Sequence, residues 1–142
     1  MQIFREDITL ASLNAWSPNT LAERLGIEVT AIGPDYLEAR MPVDHRTHQP
    51  LGMLHGGASV ALAETLGSLA ATCCVDGTKY FCVGLEINAN HIRSVRDGFV
   101  TGVAKPIHIG KKTQVWEIRI THAQQELVCI SRITIAVLDK KN

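Results

Sequence analysis

A single carboxylate stands in the most apolar stretch of the chain. Glu64 is the one Asp, Glu, Lys or Arg between His55 and Asp76, where the other side chains are mostly small or aliphatic. Burying an unpaired carboxylate costs several kcal/mol, so a glutamate here needs a compensating role. Two roles remain open for Glu64 alone: a general base, or an ion-paired member of a small polar stripe that includes Ser68 at helical spacing.

A second chemical signal, His55-Gly56-Gly57, opens the same stretch. Glycines at a helix start let a ligand approach the backbone, where free N–H groups carry the positive end of the helix dipole. Such a place suits a phosphate or a developing oxyanion. With Glu64 two turns later and the Gln49 amide in the preceding loop, this pattern favours a hydrolase or dehydratase. The chain has no Gly-x-Ser-x-Gly elbow and no Walker A loop, so no serine nucleophile is expected.

Composition narrows the classes of partner. The chain has 142 residues, 14 basic and 14 acidic side chains, a net charge of zero and 5% aromatic residues. Neither a broadly basic nucleic-acid surface nor a series of base-stacking platforms is therefore expected. The four cysteines form no Cys-x-x-Cys pair, which favours reduced thiols in a cytoplasmic protein. Residues 1–10 show no secretory signal pattern.

Neither a metal site nor a membrane span is expected. His45, His48 and His55 are close in sequence, but no carboxylate or thiol stands in matching register. The apolar run over residues 58–75 is about long enough to cross a bilayer. Because a carboxylate such as Glu64 is costly inside a membrane, we expect a buried helix instead.

The elements that must position these residues follow from hydrophobic periodicity. We predict short helices over residues 9–17 and 20–25, a long helix over residues 55–75, and strands over residues 27–32, 36–43, 81–91, 98–107, 113–121 and 127–138. In the first helix, Leu10, Leu13 and Trp16 share one face. Short turns between consecutive strands predict an antiparallel sheet and an α+β fold. Since the long helix is apolar almost all round, the sheet must curl around it and a second copy of the chain must complete its burial.

Three runs of sequence resemble one enzyme family. The first is RTHQPLGMLHGGASVALAETLGS (residues 46–68), which resembles the active-site segment of hotdog-fold acyl-CoA thioesterases. The resemblance extends through VGLEINANHIRS (residues 83–94) and PIHIGKKTQVWEI (residues 106–118), over nearly the whole chain. It implies one hotdog domain over residues 1–142, with a long central helix wrapped by a curved antiparallel sheet.

The chain is most similar to one branch of that family. This branch hydrolyses the aromatic thioester 1,4-dihydroxy-2-naphthoyl-CoA in menaquinone biosynthesis, and a sister branch proofreads enterobactin synthesis by clearing misloaded aryl carrier proteins. Ile92 and the run GLEINANH favour the menaquinone branch. Two further interpretations remain open: a dehydratase with His55 as the proton-transfer group, and a non-catalytic module that binds acyl-CoA.

The resemblance implies a role for each candidate residue. Glu64 would be the catalytic carboxylate, as general base or nucleophile, and the Gly56 N–H would hold the thioester oxygen. His55 would place or polarise that carbonyl, Gln49 would orient the thioester or water, and Ser68 would hold substrate or water. The residues implied for coenzyme A binding are Gly84, His91, Arg93, Ser94, His108, Gly110, Lys111 and Lys112.

The resemblance also implies an assembly. Members of this family form dimers that usually pair into tetramers, with each active site at the dimer interface. Glu64 would therefore act opposite Gln49, His55 and Gly56 of the partner subunit. The implied partners are an acyl-CoA substrate or an acyl or aryl carrier protein, with no nucleic acid, membrane, metal or redox cofactor. Basic side chains near Arg93 and Lys111 are expected to cluster at the mouth of the site, where they suit the phosphates of coenzyme A.

Overall fold

One sheet and one long helix dominate the computed structural model, which describes residues 1–141. The elements are α1 (Leu10–Asn14), α2 (Leu21–Leu25), β1 (Glu28–Ile32), β2 (Leu37–Pro42), α3 (Gly56–Cys73), β3 (Tyr80–His91), β4 (Phe99–Ile109), β5 (Thr113–His122) and β6 (Glu126–Asp139). The strands are antiparallel in the order β1-β2-β4-β5-β6-β3, which leaves β1 and β3 at the two edges. The predicted α+β arrangement is therefore confirmed.

The helix α3 lies against one face of this sheet. Trp116 and Ile118 of β5 and Ile133 of β6 are fully buried, as is Leu66 of α3. The approach is close at Gly67, where a Cβ atom would stand 2.7 Å from Cγ2 of Ile133. Alternating apolar residues on the inner face of each strand therefore form the floor on which α3 rests.

The first helix is shorter than predicted. It ends at Asn14, whose side chain accepts from the Val29 N–H of β1 at 2.9 Å and donates to the Val29 carbonyl at 3.0 Å. Of the face expected to be shared by three apolar side chains, Leu13 is buried while Leu10 and Trp16 are 40% and 53% exposed. Trp16 lies beyond the helix end, so helical periodicity no longer fixes its direction.

One strip of α3 is left uncovered by the rest of the chain. Gly57 and Glu64 on this strip are exposed, and Ala61 and Ser68 are half-buried. The prediction that one sheet cannot cover the helix is therefore correct. The expectation of a buried Glu64 is wrong for a single chain. The exposed strip of α3 faces the gap between β3 and residues 10–25, which we call the α1–α2 segment.

The four cysteines are free thiols. Cys73 and Cys129 are buried, while Cys74 and Cys82 are half-buried. Burial raises the pKa of Cys73 to about 11 and the pKa of Cys74 to about 12. Among the residues described, no helix is both long enough and apolar enough to cross a membrane.

Candidate active site

The Glu64 carboxylate lies beside β3. A Cβ atom at Gly84 would stand 2.9 Å from Glu64 Oε1, so a glycine leaves the space that the carboxylate occupies. Within residues 1–141, no hydrogen bond or ion pair engages the Glu64 side chain. The alternative of a structural ion pair is therefore not what this chain forms, and the carboxylate is available to a substrate.

The start of α3 presents a free donor. His55 is the N-cap residue, and its Nδ1 accepts from the Gly57 N–H at 2.7 Å. That bond places the proton of a neutral His55 ring on Nε2. Over the described part of the chain, the Gly56 N–H has no acceptor. At the positive end of the helix dipole, this N–H can stabilise a developing negative charge.

A cleft of about 350 Å³ opens beside this helix start. The predicted site residues that line it are Gln49, Gly56, His91, Arg93 and Ser94. His91, at the end of β3, lies against Gly56: a Cβ atom at Gly56 would be 2.9 Å from His91 Nε2. Five candidates that are far apart in sequence are therefore brought together at the N-terminus of α3.

The 49–54 loop reaches this cleft through backbone bonds. The Gln49 N–H donates to the Met53 carbonyl at 2.8 Å, and the Leu54 N–H donates to the Val95 carbonyl at 2.8 Å. The Gln49 side chain accepts from the N–H of Leu51. These bonds hold the loop folded beside Gly56, which keeps the Gln49 amide at the cleft.

Two other candidates face different surfaces. Ser68 lines an apolar cleft of about 330 Å³ between α3 and the α1–α2 segment. The His55 ring lies on the side of α3 where Arg46 and Thr47 line a further cleft. Among residues 1–141, no three His, Cys, Asp or Glu side chains converge as they would around a metal ion.

Glu64 and Gly56 are too far apart to act together within one chain. They are separated by eight residues of α3, about 12 Å along the helix axis. Their neighbours in β3, Gly84 and His91, are about 20 Å apart along the strand. A base and an oxyanion donor must each come within about 3 Å of the same reacting group. Within one chain, the Gly56 N–H and the Glu64 carboxylate therefore cannot reach the same reacting group.

Comparison with known proteins decides the family. Residues 51–129 match the model of the thioesterase superfamily, a span that includes both Gly56 and Glu64. The chain belongs to this superfamily. The thioesterase is 52% identical over 136 residues to the 1,4-dihydroxy-2-naphthoyl-CoA hydrolase of Escherichia coli, with 96% of this chain and 99% of the relative covered. It is 53% identical over 137 residues to the proofreading thioesterase EntH of Cronobacter turicensis, covering 96% of this chain and 98% of the relative.

Solved structures agree with this assignment. A thioesterase from Haemophilus influenzae matches the whole fold with a TM-score of 0.94 at 50% identity, covering 97% of this chain and 96% of that one. A mutant thioesterase from Pseudomonas aeruginosa matches with a TM-score of 0.96 at 50% identity, covering 98% of this chain and 100% of that one. The hotdog fold and a thioester hydrolase activity are therefore confirmed.

The basic side chains near Arg93 and those near Lys111, which were expected to cluster, lie at opposite ends of one chain. Arg93 follows β3 at the start of α3, whereas Gly110, Lys111 and Lys112 form the turn between β4 and β5. The strand register places this turn level with Gly84, about 20 Å along β3 from His91. A shared mouth lined by both groups, with His108 beside the turn, therefore requires a second chain.

Ser59 also lines the cleft beside Gly56, although it was not among the candidate residues predicted from the sequence. Its side chain is buried at the base of the cleft that Gly56 and His91 line. Its spacing offered a signal, because Ser59 comes three residues after Gly56 and so falls on the same helix face.

Proposed function

We propose that this thioesterase hydrolyses an aromatic acyl-CoA thioester, such as 1,4-dihydroxy-2-naphthoyl-CoA or a benzoyl-CoA-like compound, to the free acid and coenzyme A. The observation that carries the proposal is the Glu64 carboxylate, unpaired and exposed against Gly84 within the described chain. A carboxylate without a cationic partner is free to accept a proton from water. The aromatic substrate class is supported by the name of the 1,4-dihydroxy-2-naphthoyl-CoA hydrolase.

The working unit is a homodimer, alone or paired into a homotetramer. Because Gly56 and Glu64 are about 12 Å apart on one helix, a complete site needs the donor of one chain opposite the carboxylate of another. A two-fold axis that sets two α3 helices side by side in opposite directions would form two such sites. It would also cover the exposed strip around Glu64. Static light scattering tests this assembly, and a monomer at micromolar concentration would contradict it.

The proposed chemistry at each site is hydrolysis with water as the co-reactant, and it needs no metal or redox cofactor when Glu64 activates the water. Glu64 removes a proton from a water molecule whose oxygen attacks the thioester carbonyl carbon. The carbonyl oxygen becomes an oxyanion that accepts from the Gly56 N–H, and collapse of this intermediate expels the coenzyme A thiolate. Glu64 as a nucleophile that forms a mixed anhydride is the other route, and water then cleaves the anhydride. In either route Gln49 and His55 orient the carbonyl or the water.

The coenzyme A moiety would lie across the subunit boundary. His91, Arg93 and Ser94 belong to the Gly56 end of one chain, and Lys111 and Lys112 belong to the β4–β5 turn. An antiparallel pair of chains would bring the first group close to the second group of the partner subunit. Guanidinium and ammonium groups suit the phosphates of coenzyme A.

The four thiols, none in a disulfide, support a cytoplasmic location.

A carrier-protein substrate is the second candidate. The observation that favours it is the 53% identity to EntH, which is named a proofreading thioesterase. In that role the enzyme would clear a misloaded aryl group from a carrier-protein phosphopantetheine. The thioester and the catalytic residues would be the same, and the macromolecule that carries the thioester would differ.

A panel of substrates tests these two functions. The panel holds benzoyl-CoA, 1,4-dihydroxy-2-naphthoyl-CoA, acetyl-CoA, palmitoyl-CoA and one aryl-loaded carrier protein, and kcat/KM is measured for each by release of the free thiol. The highest kcat/KM is expected for an aryl-CoA. A preference for the loaded carrier protein would support proofreading, and a preference for acetyl-CoA or palmitoyl-CoA would overturn the aromatic assignment.

A further inference from the structure

An apolar cleft lies on one side of the exposed strip of α3. Its walls are the α1–α2 segment and β1, and its floor is the α3 face that carries Ser68 and Leu69. Trp16 and Leu21 stand at its rim and are 53% and 60% exposed. Together with the apolar cleft they form one continuous exposed apolar surface, and such a surface marks a site for a ligand or partner.

The apolar cleft is continuous with the exposed strip of α3 that carries Glu64. Ser68 lines the cleft and falls one helical turn after Glu64, so the two side chains are neighbours on α3. In the proposed dimer, the Gly56 cleft that faces Glu64 belongs to the partner subunit, and the Arg93 and Ser94 side chains that line such a cleft suit the polar coenzyme A arm. A thioester held at Glu64 with its coenzyme A arm in that cleft would leave the apolar cleft beside Ser68 to its acyl group.

The size of the cleft limits the acyl group. Its volume is about 330 Å³, near the lower end of the range of about 300 to 1,000 Å³ that is usual for small-molecule sites. A group of one or two fused rings fits such a volume better than a long alkyl chain. The residues outside α3 that form the cleft precede residue 51, where the match to the superfamily begins.

We infer that the α1–α2 segment is the specificity element of the enzyme, and that Trp16 covers a ring-sized acyl group bound against Leu69 and Ser68. This inference rests on the proposed function, since it takes a thioester as the ligand at Glu64. The ring of Trp16 would lie over the acyl group and exclude water from it. The hydroxyl of Ser68 would face the polar, thioester end of that group.

Fluorescence tests the binding half of the inference without catalysis. The chain has two tryptophans, and Trp116 is fully buried, so iodide in solution should quench Trp16. A CoA thioether that bears an aroylmethyl group cannot be hydrolysed, and it should protect Trp16 from iodide. Coenzyme A alone should give no protection, and Trp16→Phe should abolish the response. Equal protection by coenzyme A alone, or a Trp16 that iodide cannot quench in the free protein, would overturn the inference.

Kinetics tests the specificity half. Trp16→Ala should lower the ratio of kcat/KM for benzoyl-CoA to kcat/KM for acetyl-CoA at least tenfold, because even a single methylene in an apolar pocket is worth about tenfold or more. The matched control is Leu10→Ala, which truncates another exposed apolar side chain of the same segment outside the cleft. A ratio that is unchanged in Trp16→Ala, or lowered equally in Leu10→Ala, would overturn the assignment.

The two failures can be told apart. If wild-type protein hydrolyses no thioester of the panel, the proposed function fails, and the iodide experiment still reports whether an aryl group enters the cleft. If wild-type protein hydrolyses aryl-CoA while the specificity ratio and the quenching of Trp16 stay constant, the inference alone fails.

Discussion

Glu64 and Gly84 meet across the boundary between α3 and β3, and the contact depends on the side chain that Gly84 lacks. A Cβ atom at this position would stand 2.9 Å from Glu64 Oε1, closer than such atoms normally approach. The pairing of β3 with β6 is irregular between Gly84 and Glu86, as in a β-bulge. The strand therefore supplies both the space beside the carboxylate and a local limit on where it can move.

Gly84→Ala should displace the carboxylate and lower kcat. The backbone of Gly84 is not in the left-handed region, so alanine adds a methyl group without backbone strain. A displacement of about 1 Å in a catalytic group can cost about 100-fold, so we expect kcat for benzoyl-CoA to fall at least tenfold. The matched control is Gly77→Ala, where no heavy atom lies within 4 Å of the added Cβ. Equal kcat values in the two variants would contradict a positioning role for Gly84.

Glu64→Gln should abolish most of the activity while the protein stays folded. The substitution keeps the size of the side chain and removes its ability to take a proton, which is worth about 100- to 10,000-fold in general base catalysis. Because Glu64 is exposed and unpaired in the described chain, the thermal midpoint should change little. Glu86→Gln, an exposed glutamate of β3, should keep full activity. A Glu64→Gln variant with wild-type turnover would refute the assigned role.

Gly56→Pro should remove the oxyanion donor and leave the helix in place. Proline is accepted at the first position of a helix, and His55 before it has φ −70° and ψ 131°, which suit a residue that precedes proline. Gly56→Ala is the matched control, since both variants place a Cβ atom near His91 and alanine keeps the N–H. We expect kcat of Gly56→Pro to be about 100-fold below that of Gly56→Ala. Similar kcat values would show that another group holds the oxyanion.

Mixing two inactive variants should restore activity if the sites are shared between chains. Glu64→Gln lacks the carboxylate and Gly56→Pro lacks the donor, so a mixed dimer has one intact site and one doubly defective site. Refolding an equal mixture makes about half of the dimers mixed and should restore about a quarter of the wild-type rate. If the rate stays at the mean of the two parent variants, each chain uses its own Gly56 and Glu64.

Local patterns in the sequence were enough to predict α3 and most strands. His55-Gly56-Gly57 before an apolar run predicts the start of α3 correctly, because capping and helix breaking act over a few residues. Alternation predicts β2 equally well, and its residues Leu37 and Met41 are fully buried. These features depend on near neighbours alone.

Contacts between distant elements were beyond such patterns. Strict alternation would put Gly84 and His91 on opposite faces of β3, yet both face α3, because the irregular pairing near Gly84 shifts the alternation by one residue. Trp16 lines the same cleft as Leu13 but stays 53% exposed, because it lies beyond the end of α1 at Asn14. Neither the irregular pairing of β3 nor this early helix end can be read from the local period.

The stability of the fold should fall as the solution becomes alkaline. Burial raises the pKa of Cys73 to about 11 and the pKa of Cys74 to about 12, whereas a thiol in an unfolded chain has a pKa of about 8.5. Above about pH 8.5 the unfolded chain therefore loses protons that the folded chain keeps, and the free energy of unfolding decreases as pH rises.

The double variant Cys73→Ala, Cys74→Ala should show a weaker dependence on pH. Urea unfolding under reducing conditions at about pH 7.5 and about pH 10 gives the loss of stability for each protein. The loss in wild-type protein should exceed the loss in the variant, since all other side chains are common to both. Equal losses would mean that other groups set the alkaline limit.

The distance between Gly56 and Glu64 along α3 has a consequence in genetic terms. In the proposed dimer, each chain would contribute its donor to one site and its carboxylate to the other, so defects in the two residues would complement each other when they occur in different chains. A chain that carries both defects would silence both sites of any dimer it enters. Such an allele would act as a dominant inhibitor of the wild-type enzyme, whereas either single defect would spare one site of each mixed dimer.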